Sequence, residues 1–332
     1  MNNVLVIGGS GFIGGHLAEK LCLRGYKVAV LVRKNSDTKF LKLLGVELRL
    51  GNLLEPYSLK EAFSEIDTVF CVVNVKPVGK SQKDYKEQLS RLHAEGTRNL
   101  IKACKINNVR RLIYFSSVAA IGYRKGVNSY DESSEENPIE AYGKAKLEAE
   151  NILKETSKNR EMDITILRPP GVFGKKGRGP LKKIIFFVEK RCVPIIGRGE
   201  NKQSLTYVGN VVNQAIFVAE NPNAIGKTYI TSDDRPYSVN ELVNMVAKVM
   251  NICPLKIHVP TWLVIFCVSV LNSFGKLFFR REIINKESFV AITSERIFDG
   301  SRIFRELGYK QEYDLTTGIT RTIEWYKKSK NE

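Results

Sequence analysis

Short aliphatic runs alternate with longer amphipathic stretches through the first half of the chain. The apolar runs show no polar alternation, which is typical of strands buried on both faces; they lie near 4–7, 27–33, 46–50, 68–73, 110–115 and 163–168. Helical periodicity separates them near 12–24, 56–64, 84–107 and 142–158. This alternation predicts an α/β fold with a doubly wound parallel sheet and helices on both faces.

A glycine cluster, Gly8-Gly-Ser-Gly11-Phe-Ile-Gly14, follows the first predicted strand and leads into the first helix. Glycine at these positions turns the chain, lets backbone N–H groups approach a pyrophosphate and lets the helix pack close to the strand. The N-terminus of a helix also favours a dianionic ligand. The cluster therefore predicts a nucleotide-binding turn, and the alternative is a purely structural turn.

The pattern changes beyond Pro169 to shorter apolar runs with more loops. Helical periodicity returns near 180–191, 210–219, 238–250, 301–307 and 314–327. We therefore expect a dinucleotide-binding domain over 1–170 and a mainly substrate-binding part over 171–332, with some segments returning to the first domain.

Composition narrows the class of protein. The chain has 332 residues, 43% of them hydrophobic, with six scattered cysteines, three histidines and a formal net charge of +17. Without a Cys-x-x-Cys pair or a leader before the first strand, we expect a reduced cytoplasmic protein with no metal site. The positive charge is spread along the chain, which indicates a solvated basic surface or attraction to acidic lipid, and not a nucleic-acid-binding protein.

Arg33 follows the second predicted strand, where an NAD-binding sheet places an acidic residue against the adenosine ribose. Val32 stands in place of that acid. A guanidinium would attract a ribose 2′-phosphate by charge and by bidentate hydrogen bonds. We therefore expect NADP to be preferred over NAD; the alternative is an ordinary solvated arginine.

Two later stretches carry residues suited to proton transfer. Tyr142 and Lys146 are spaced i, i+4 on a predicted helix, which places the phenol and the ammonium on one face. Lowering a tyrosine pKa from ~10 to ~7 takes roughly 4 kcal/mol; a nearby cation supplies about 1–3 units, and a positively charged cofactor ring could supply the rest. Ser116 and Ser117 end a buried strand, where either hydroxyl could bind a substrate oxygen.

Together these features resemble the extended short-chain dehydrogenase/reductase superfamily over nearly the whole chain. Further matches are Gly51-Asn-Leu, Glu95-Gly96-Thr-Arg-Asn99, Leu167-Arg168-Pro169 and Thr206-Tyr-Val-Gly-Asn210-Val. The resemblance implies a Rossmann-like fold, with Tyr142 as general acid/base, Lys146 lowering its pKa and holding the nicotinamide ribose, and Ser117 orienting the reacting oxygen. The implied cofactor contacts are Gly8, Gly11, Phe12, Ile13, Gly14, Arg33, Asn52, Leu53, Val73, Tyr142, Lys146 and Pro169.

Some positions depart from the family pattern. His93 stands where an Asn is common, Val73-Asn74 replaces a small pair, and Asn52 replaces the commoner Asp. Gln203 occupies the position at which nucleotide-sugar epimerases and dehydratases place an Arg for the sugar diphosphate. This favours the branches resembling 3β-hydroxysteroid dehydrogenases and dihydroflavonol reductases, although the basic stretch Lys175-Lys176-Gly-Arg178 leaves an anionic substrate open.

The segment 261–281 is apolar from Trp262 to Leu271 and ends in Arg280 and Arg281. Ten apolar-leaning residues are too few to span a bilayer, which takes about 20. The segment could pack over the substrate pocket, lie on a membrane surface with its cationic flank, or cross the bilayer with its extension.

The sequence therefore predicts an NAD(P)-dependent oxidoreductase that interconverts a secondary alcohol and a ketone on a hydrophobic, sterol-like or flavonol-like small molecule. The alternatives are a nucleotide-sugar epimerase or dehydratase and a non-catalytic dinucleotide sensor. Peripheral membrane contact through 261–281 and a homodimer are further expectations.

Overall fold

A seven-stranded parallel sheet organises the fold in a computed structural model that describes residues 1–75, 82–124, 127, 129–177, 179–279 and 295–331. Its strands are β1 (Asn3–Ile7), β2 (Lys27–Val32), β3 (Glu47–Leu50), β4 (Thr68–Cys71), β5 (Arg111–Phe115), β6 (Asp163–Arg168) and β11 (Thr228–Ile230). Their order is β11-β6-β5-β4-β1-β2-β3, and every neighbouring pair is parallel. The six strands expected from the apolar runs and the doubly wound fold are confirmed, and β11 is an addition.

Helices cover both faces of this sheet and build most of the second half. They are α1 (Phe12–Leu23), α2 (Lys39–Leu43), α3 (Leu59–Ala62), α4 (Gln82–Ile106), α5 (Ala141–Lys158), α6 (Pro180–Glu189), α7 (Val208–Glu220), α8 (Val239–Met250), α9 (Thr261–Phe279), α10 (Ser301–Leu307) and α11 (Leu315–Asn331). Short 3₁₀ turns occupy Pro56–Ser58, Val118–Ala120 and Pro222–Ala224.

Alternate residues of the central strands enter different apolar clusters, one on each face of the sheet. In β1, Val4 and Val6 belong to one cluster, whereas Leu5 and Ile7 belong to the other. Because successive side chains of a strand point to opposite faces, a strand covered on both sides needs apolar residues at every position. This explains the absence of polar alternation in the sequence.

In the described part of the chain beyond residue 170, three two-stranded sheets form. They pair β7 (Gly171–Phe173) with β10 (Leu205–Tyr207), β9 (Lys202–Gln203) with β12 (Tyr237–Ser238), and β8 (Cys192–Ile196) with β13 (Leu255–Val259). From the same half, β11 extends the main sheet and α7 packs on α1. The domain boundary at 170 stays a prediction.

Within the described part of the chain, no helix has both the length and the apolar character needed to cross a bilayer. Three basic residues considered in the sequence analysis, Arg178, Arg280 and Arg281, lie outside the described residues.

Candidate active site

The predicted cofactor and catalytic residues lie in a row at the carboxyl edge of the sheet. Following the strand order, the row runs from Asn52 after β3, through Arg33 after β2, the glycine turn after β1, Val73 after β4 and Ser117 after β5, to Pro169 after β6. Neighbouring strands lie about 4.8 Å apart, so six strand ends span about 24 Å. Such a long, narrow edge suits an extended ligand better than a compact one.

The glycine turn leaves no room for side chains. Gly8 has φ +89°, and a Cβ on it would lie 2.4 Å from the carbonyl oxygen of Val72. A Cβ on Gly14 would lie 2.3 Å from the carbonyl oxygen of Gly8, and Gly11 donates its N–H to that oxygen at 2.9 Å. The backbone at the start of α1 is therefore packed against both β1 and the segment after β4, as a phosphate-binding turn requires.

Lys146 ties the catalytic helix α5 to the ends of two strands. Its fully buried Nζ donates to the carbonyl of Phe115 at 2.7 Å and to that of Val73 at 3.1 Å. The ammonium lies 5.9 Å from the ring centroid of Tyr142. These contacts bring Lys146, Tyr142 and the predicted cofactor contact Val73 into one site.

Tyr142 and Ser117 are brought together by a close approach of α5 to the turn Val118–Ala120. A Cβ on Gly143 would lie 2.2 Å from the carbonyl oxygen of Ala119, so only glycine permits this spacing. Ser117 caps the turn by accepting the N–H of Ala119 at 3.2 Å, and it also hydrogen-bonds the Tyr142 side chain. Gly143 was not singled out in the sequence, although its place beside Tyr142 is a usable signal.

Burial shifts the pKa values of the predicted catalytic groups. It raises the pKa of Tyr142 to about 12, against the lowering effect of the hydrogen bond with Ser117. It lowers the pKa of Lys146 to about 8, against the charge of Glu150. Desolvation of the phenolate dominates the shift of Tyr142, and the expectation that Lys146 lowers the tyrosine pKa stays a prediction.

His93 completes a buried polar cluster behind the catalytic residues. Its Nδ1 lies 3.1 Å from the hydroxyl of Tyr114, its ring lies 6.4 Å from that of Tyr142, and its Nε2 has no partner among the described residues. Burial, with the neighbouring charge of Lys146, lowers the pKa of His93 to about 2. The imidazole is therefore neutral, which makes it an electrostatic match for the Asn common in the family.

The remaining predicted cofactor contacts differ in their exposure and in which of their atoms already form hydrogen bonds. Arg33 is exposed, and its N–H donates to the Ser36 hydroxyl at 3.0 Å. The Asn52 amide donates to Glu55 at 2.8 Å, which leaves less of that side chain for a ligand. Leu53 is buried, and Pro169 accepts the N–H of Val118 at 3.2 Å. The exposed Arg33 side chain is therefore accessible to an anionic group of a ligand.

A cavity of about 460 Å³ adjoins the glycine turn. Its lining includes Gly11, Phe12, Asp37 and the basic pair Lys175 and Lys176. The carbonyl of Lys175 bonds the His16 ring at 2.8 Å, which fixes the basic loop beside α1. In the sequence, these lysines left an anionic substrate open, but the structure places them next to the glycine turn.

Arg296 forms a β-bridge with Gln203 and brings a guanidinium to this region. The sequence pattern did not indicate this pairing. The Arg296 N–H donates to the carbonyl of Lys202 at 2.9 Å, and the guanidinium carbon lies 4.2 Å from the ring centroid of Tyr123. Its buried Nε and Nη2 have no hydrogen-bond partner among the described residues. Two such donors form a place for an anion.

Comparison with known proteins gives this geometry a context. Residues 4–231 match the model of the NAD dependent epimerase/dehydratase family. The chain is 27% identical to N-acetyl-alpha-D-glucosaminyl-diphospho-ditrans,octacis-undecaprenol 4-epimerase of Escherichia coli O157:H7, over 98% of this chain and 95% of that protein. It is 30% identical to the decarboxylating sterol-4-alpha-carboxylate 3-dehydrogenase of Bos taurus, over 78% of this chain and 72% of that protein.

A solved structure supports the fold. UDP-glucuronic acid 4-epimerase from Bacillus cereus, in complex with NAD, matches with a TM-score of 0.76 and 20% identity over 98% of this chain and 99% of that chain. The resemblance, the Rossmann-like fold and the nicotinamide dinucleotide cofactor predicted from the sequence are confirmed. The roles of Ser117, Tyr142 and Lys146 and the preference for NADP stay predictions.

Proposed function

The chain belongs to the NAD-dependent epimerase/dehydratase family, and on that premise we propose that it interconverts a secondary alcohol and a ketone on a hydrophobic substrate. The observation that carries the proposal is the close approach of α5, at Gly143, to the turn that Ser117 caps, with the Lys146 ammonium 5.9 Å from the Tyr142 ring centroid. The sterol dehydrogenase relative supports a hydrophobic alcohol as the substrate class.

The residues present fit a nicotinamide dinucleotide. The turn from Gly8 to Gly14 excludes side chains where the pyrophosphate would bind, and Arg33 and Lys146 supply positive charge along the same edge. When bound, the cofactor supplies the site that accepts or gives a hydride. The protein's own contribution is to hold the substrate oxygen and to move its proton.

Tyr142 and Ser117 perform the proton chemistry. In the reducing direction, the Tyr142 hydroxyl gives its proton to the oxygen of the new alcohol; in the oxidising direction, the phenolate takes that proton back. The Ser117 hydroxyl donates a hydrogen bond to the same substrate oxygen and fixes its position. The Lys146 ammonium stabilises the phenolate whenever it forms.

A second candidate function is epimerisation of a sugar carried on a lipid diphosphate. Arg296 favours it, because its two unpartnered donors among the described residues suit a diphosphate. The 4-epimerase relative, which matches nearly the full length of the chain, also supports this candidate. An epimerase removes and returns the hydride on one substrate, so it causes no net change of the cofactor.

The test is to incubate the purified protein with NAD or NADP and panels of sterol-like alcohols, lipid-linked sugars and UDP-sugars. We expect net formation of reduced cofactor with a hydrophobic alcohol, and a loss of roughly 10²-fold or more in turnover for Tyr142→Phe. Tyr57→Phe, a change at a fully exposed tyrosine, is the matched control.

Each outcome separates the candidates. A sugar epimer formed without net cofactor reduction, and lost in Arg296→Met, would establish the second function instead. Cofactor binding without turnover on any panel would indicate a non-catalytic sensor, and full turnover in Tyr142→Phe would contradict the proposed mechanism.

A further inference from the structure

Over residues 261–272, helix α9 has its less accessible residues on one narrow stripe and exposes the other side chains. Its less accessible residues are Thr261, Val264, Val268 and Asn272, which recur at helical spacing on one face. Among the described side chains of α9, only Asn272 is fully buried. The residues 261–272 therefore contribute little of their apolar surface to the core of the described chain.

The outer surface of α9 is apolar. Trp262 is 69% exposed and Phe266 is 61% exposed, one helical turn apart. Leu263, Ile265, Val270 and Leu271 are exposed beside them. The sequence has no Lys, Arg, Asp or Glu from Val259 to Gly275. A surface helix of a soluble protein has a polar outer face, so a contiguous apolar face of this kind marks an interaction surface.

Strand β13 adds exposed apolar residues, and exposed arginines lie at both ends of its pairing with β8. Leu255 and Ile257 of β13 are exposed. The Leu255 N–H donates to the carbonyl of the exposed Arg191 at 2.9 Å, so Arg191 lies at one end of the strand pair. At the other end, the exposed Arg198 follows Gly197, whose added Cβ would lie 3.1 Å from Oγ1 of Thr261.

The charge around this face is strongly positive. The exposed Arg191 and Arg198 border it, within a chain of net charge +17. A second copy of the chain would bring the same positive border against itself, which like-charge repulsion disfavours. An anionic lipid surface is complementary to the apolar face and to its positive border, because it offers acyl chains to the helix and negative headgroups to the arginines.

We propose that α9 and the exposed residues of β13 dock on the surface of an anionic lipid bilayer, with Trp262 and Phe266 inserted at the level of the headgroups. Tryptophan is enriched at that depth because it has an apolar ring and a polar N–H. Docking goes beyond the proposed function, since it requires neither cofactor nor turnover.

The test measures flotation of the full chain with phosphatidylglycerol vesicles and with phosphatidylcholine vesicles. Wild type should bind the anionic vesicles more tightly, and added salt should weaken that preference. The double variant Trp262→Ser/Phe266→Ser should lose at least roughly tenfold in binding to both. Leu43→Ser/Tyr57→Ser, which removes comparable exposed apolar surface elsewhere, should bind like wild type.

A charge variant separates the two contributions. Arg191→Gln/Arg198→Gln should weaken binding to anionic vesicles roughly tenfold or more, without changing binding to neutral ones. Wild type that does not float, or Trp262→Ser/Phe266→Ser that floats like wild type, would overturn the proposal. A dimer in sedimentation that Trp262→Ser/Phe266→Ser dissociates, with no vesicle binding, would instead identify α9 as a subunit interface. Activity on a water-soluble substrate tests the proposed function separately.

Discussion

Replacing Lys146 with Met should change how the stability of the cofactor-free protein depends on pH. Burial lowers the pKa of this lysine from 10.5 to about 8. At about 1.36 kcal/mol per unit, holding the charge at neutral pH costs the folded state about 3 kcal/mol. Met has a similar length and no charge. It removes that penalty and also removes two hydrogen bonds worth about 1 kcal/mol each, so the variant should be about 1 kcal/mol more stable at neutral pH.

The pH dependence is the sharper measurement, because it does not depend on the hydrogen bonds. Since the folded pKa lies below the unfolded value, the unfolded chain binds more protons between the two, and the stability of wild type rises with pH there. Wild type should gain roughly 2–3 kcal/mol relative to Lys146→Met from about pH 7 to about pH 10. The gain develops above the folded pKa of about 8.

Urea unfolding at a series of pH values measures this difference. Lys144→Met is the matched control, because Lys144 is exposed on the same helix and its replacement should leave the pH profile of wild type unchanged. Parallel profiles for wild type and Lys146→Met would refute the reasoning, since they would mean that the buried lysine titrates as it does in the unfolded chain. Turnover should be lost in Lys146→Met whatever its stability.

Two further predictions concern the cofactor edge and its surroundings. Arg33→Ala should weaken NADP binding roughly ten- to a hundredfold and leave NAD binding nearly unchanged in calorimetric titrations; equal losses would make Arg33 an adenine-stacking residue. His93→Asn should leave the pH profile of kcat/KM unchanged, because burial lowers the pKa of His93 to about 2 and keeps the ring neutral. An ionisation near ~6.5 that disappears in His93→Asn would contradict this.

The main sheet was predictable because its strands are buried on both faces, and apolar runs such as Val4 to Ile7 record that burial directly. Short strands such as Thr228–Ile230 were not predictable, because three residues carry too little pattern to distinguish a strand from a loop. Their place in the fold depends on neighbours that are distant in sequence.

Some residues of the candidate site were likewise predictable from the sequence, and others were not. Ser117 and Tyr142 stand out because motif spacing and strand ends are local properties of the sequence. Arg296 was missed because its relation to Gln203 depends on a tail segment that returns beside β9. Gln203 by itself predicts no positive charge at this position, whereas in the folded chain Arg296 brings one beside it.

Under the proposed mechanism, Tyr142 needs a further positive charge beside it before it can act as a base at neutral pH. Burial raises the pKa of Tyr142 to about 12, so reaching neutral pH takes about 5 units, or about 7 kcal/mol. The Ser117 hydrogen bond already acts in the shifted value, and Lys146 is held by the carbonyls of Phe115 and Val73. The additional stabilisation of the phenolate therefore has to come from a positive charge that arrives with the ligand. Under the proposed mechanism, an oxidised nicotinamide would supply such a charge and a reduced one would not, which would suit Tyr142 to act as base in the oxidising direction and as acid in the reducing direction.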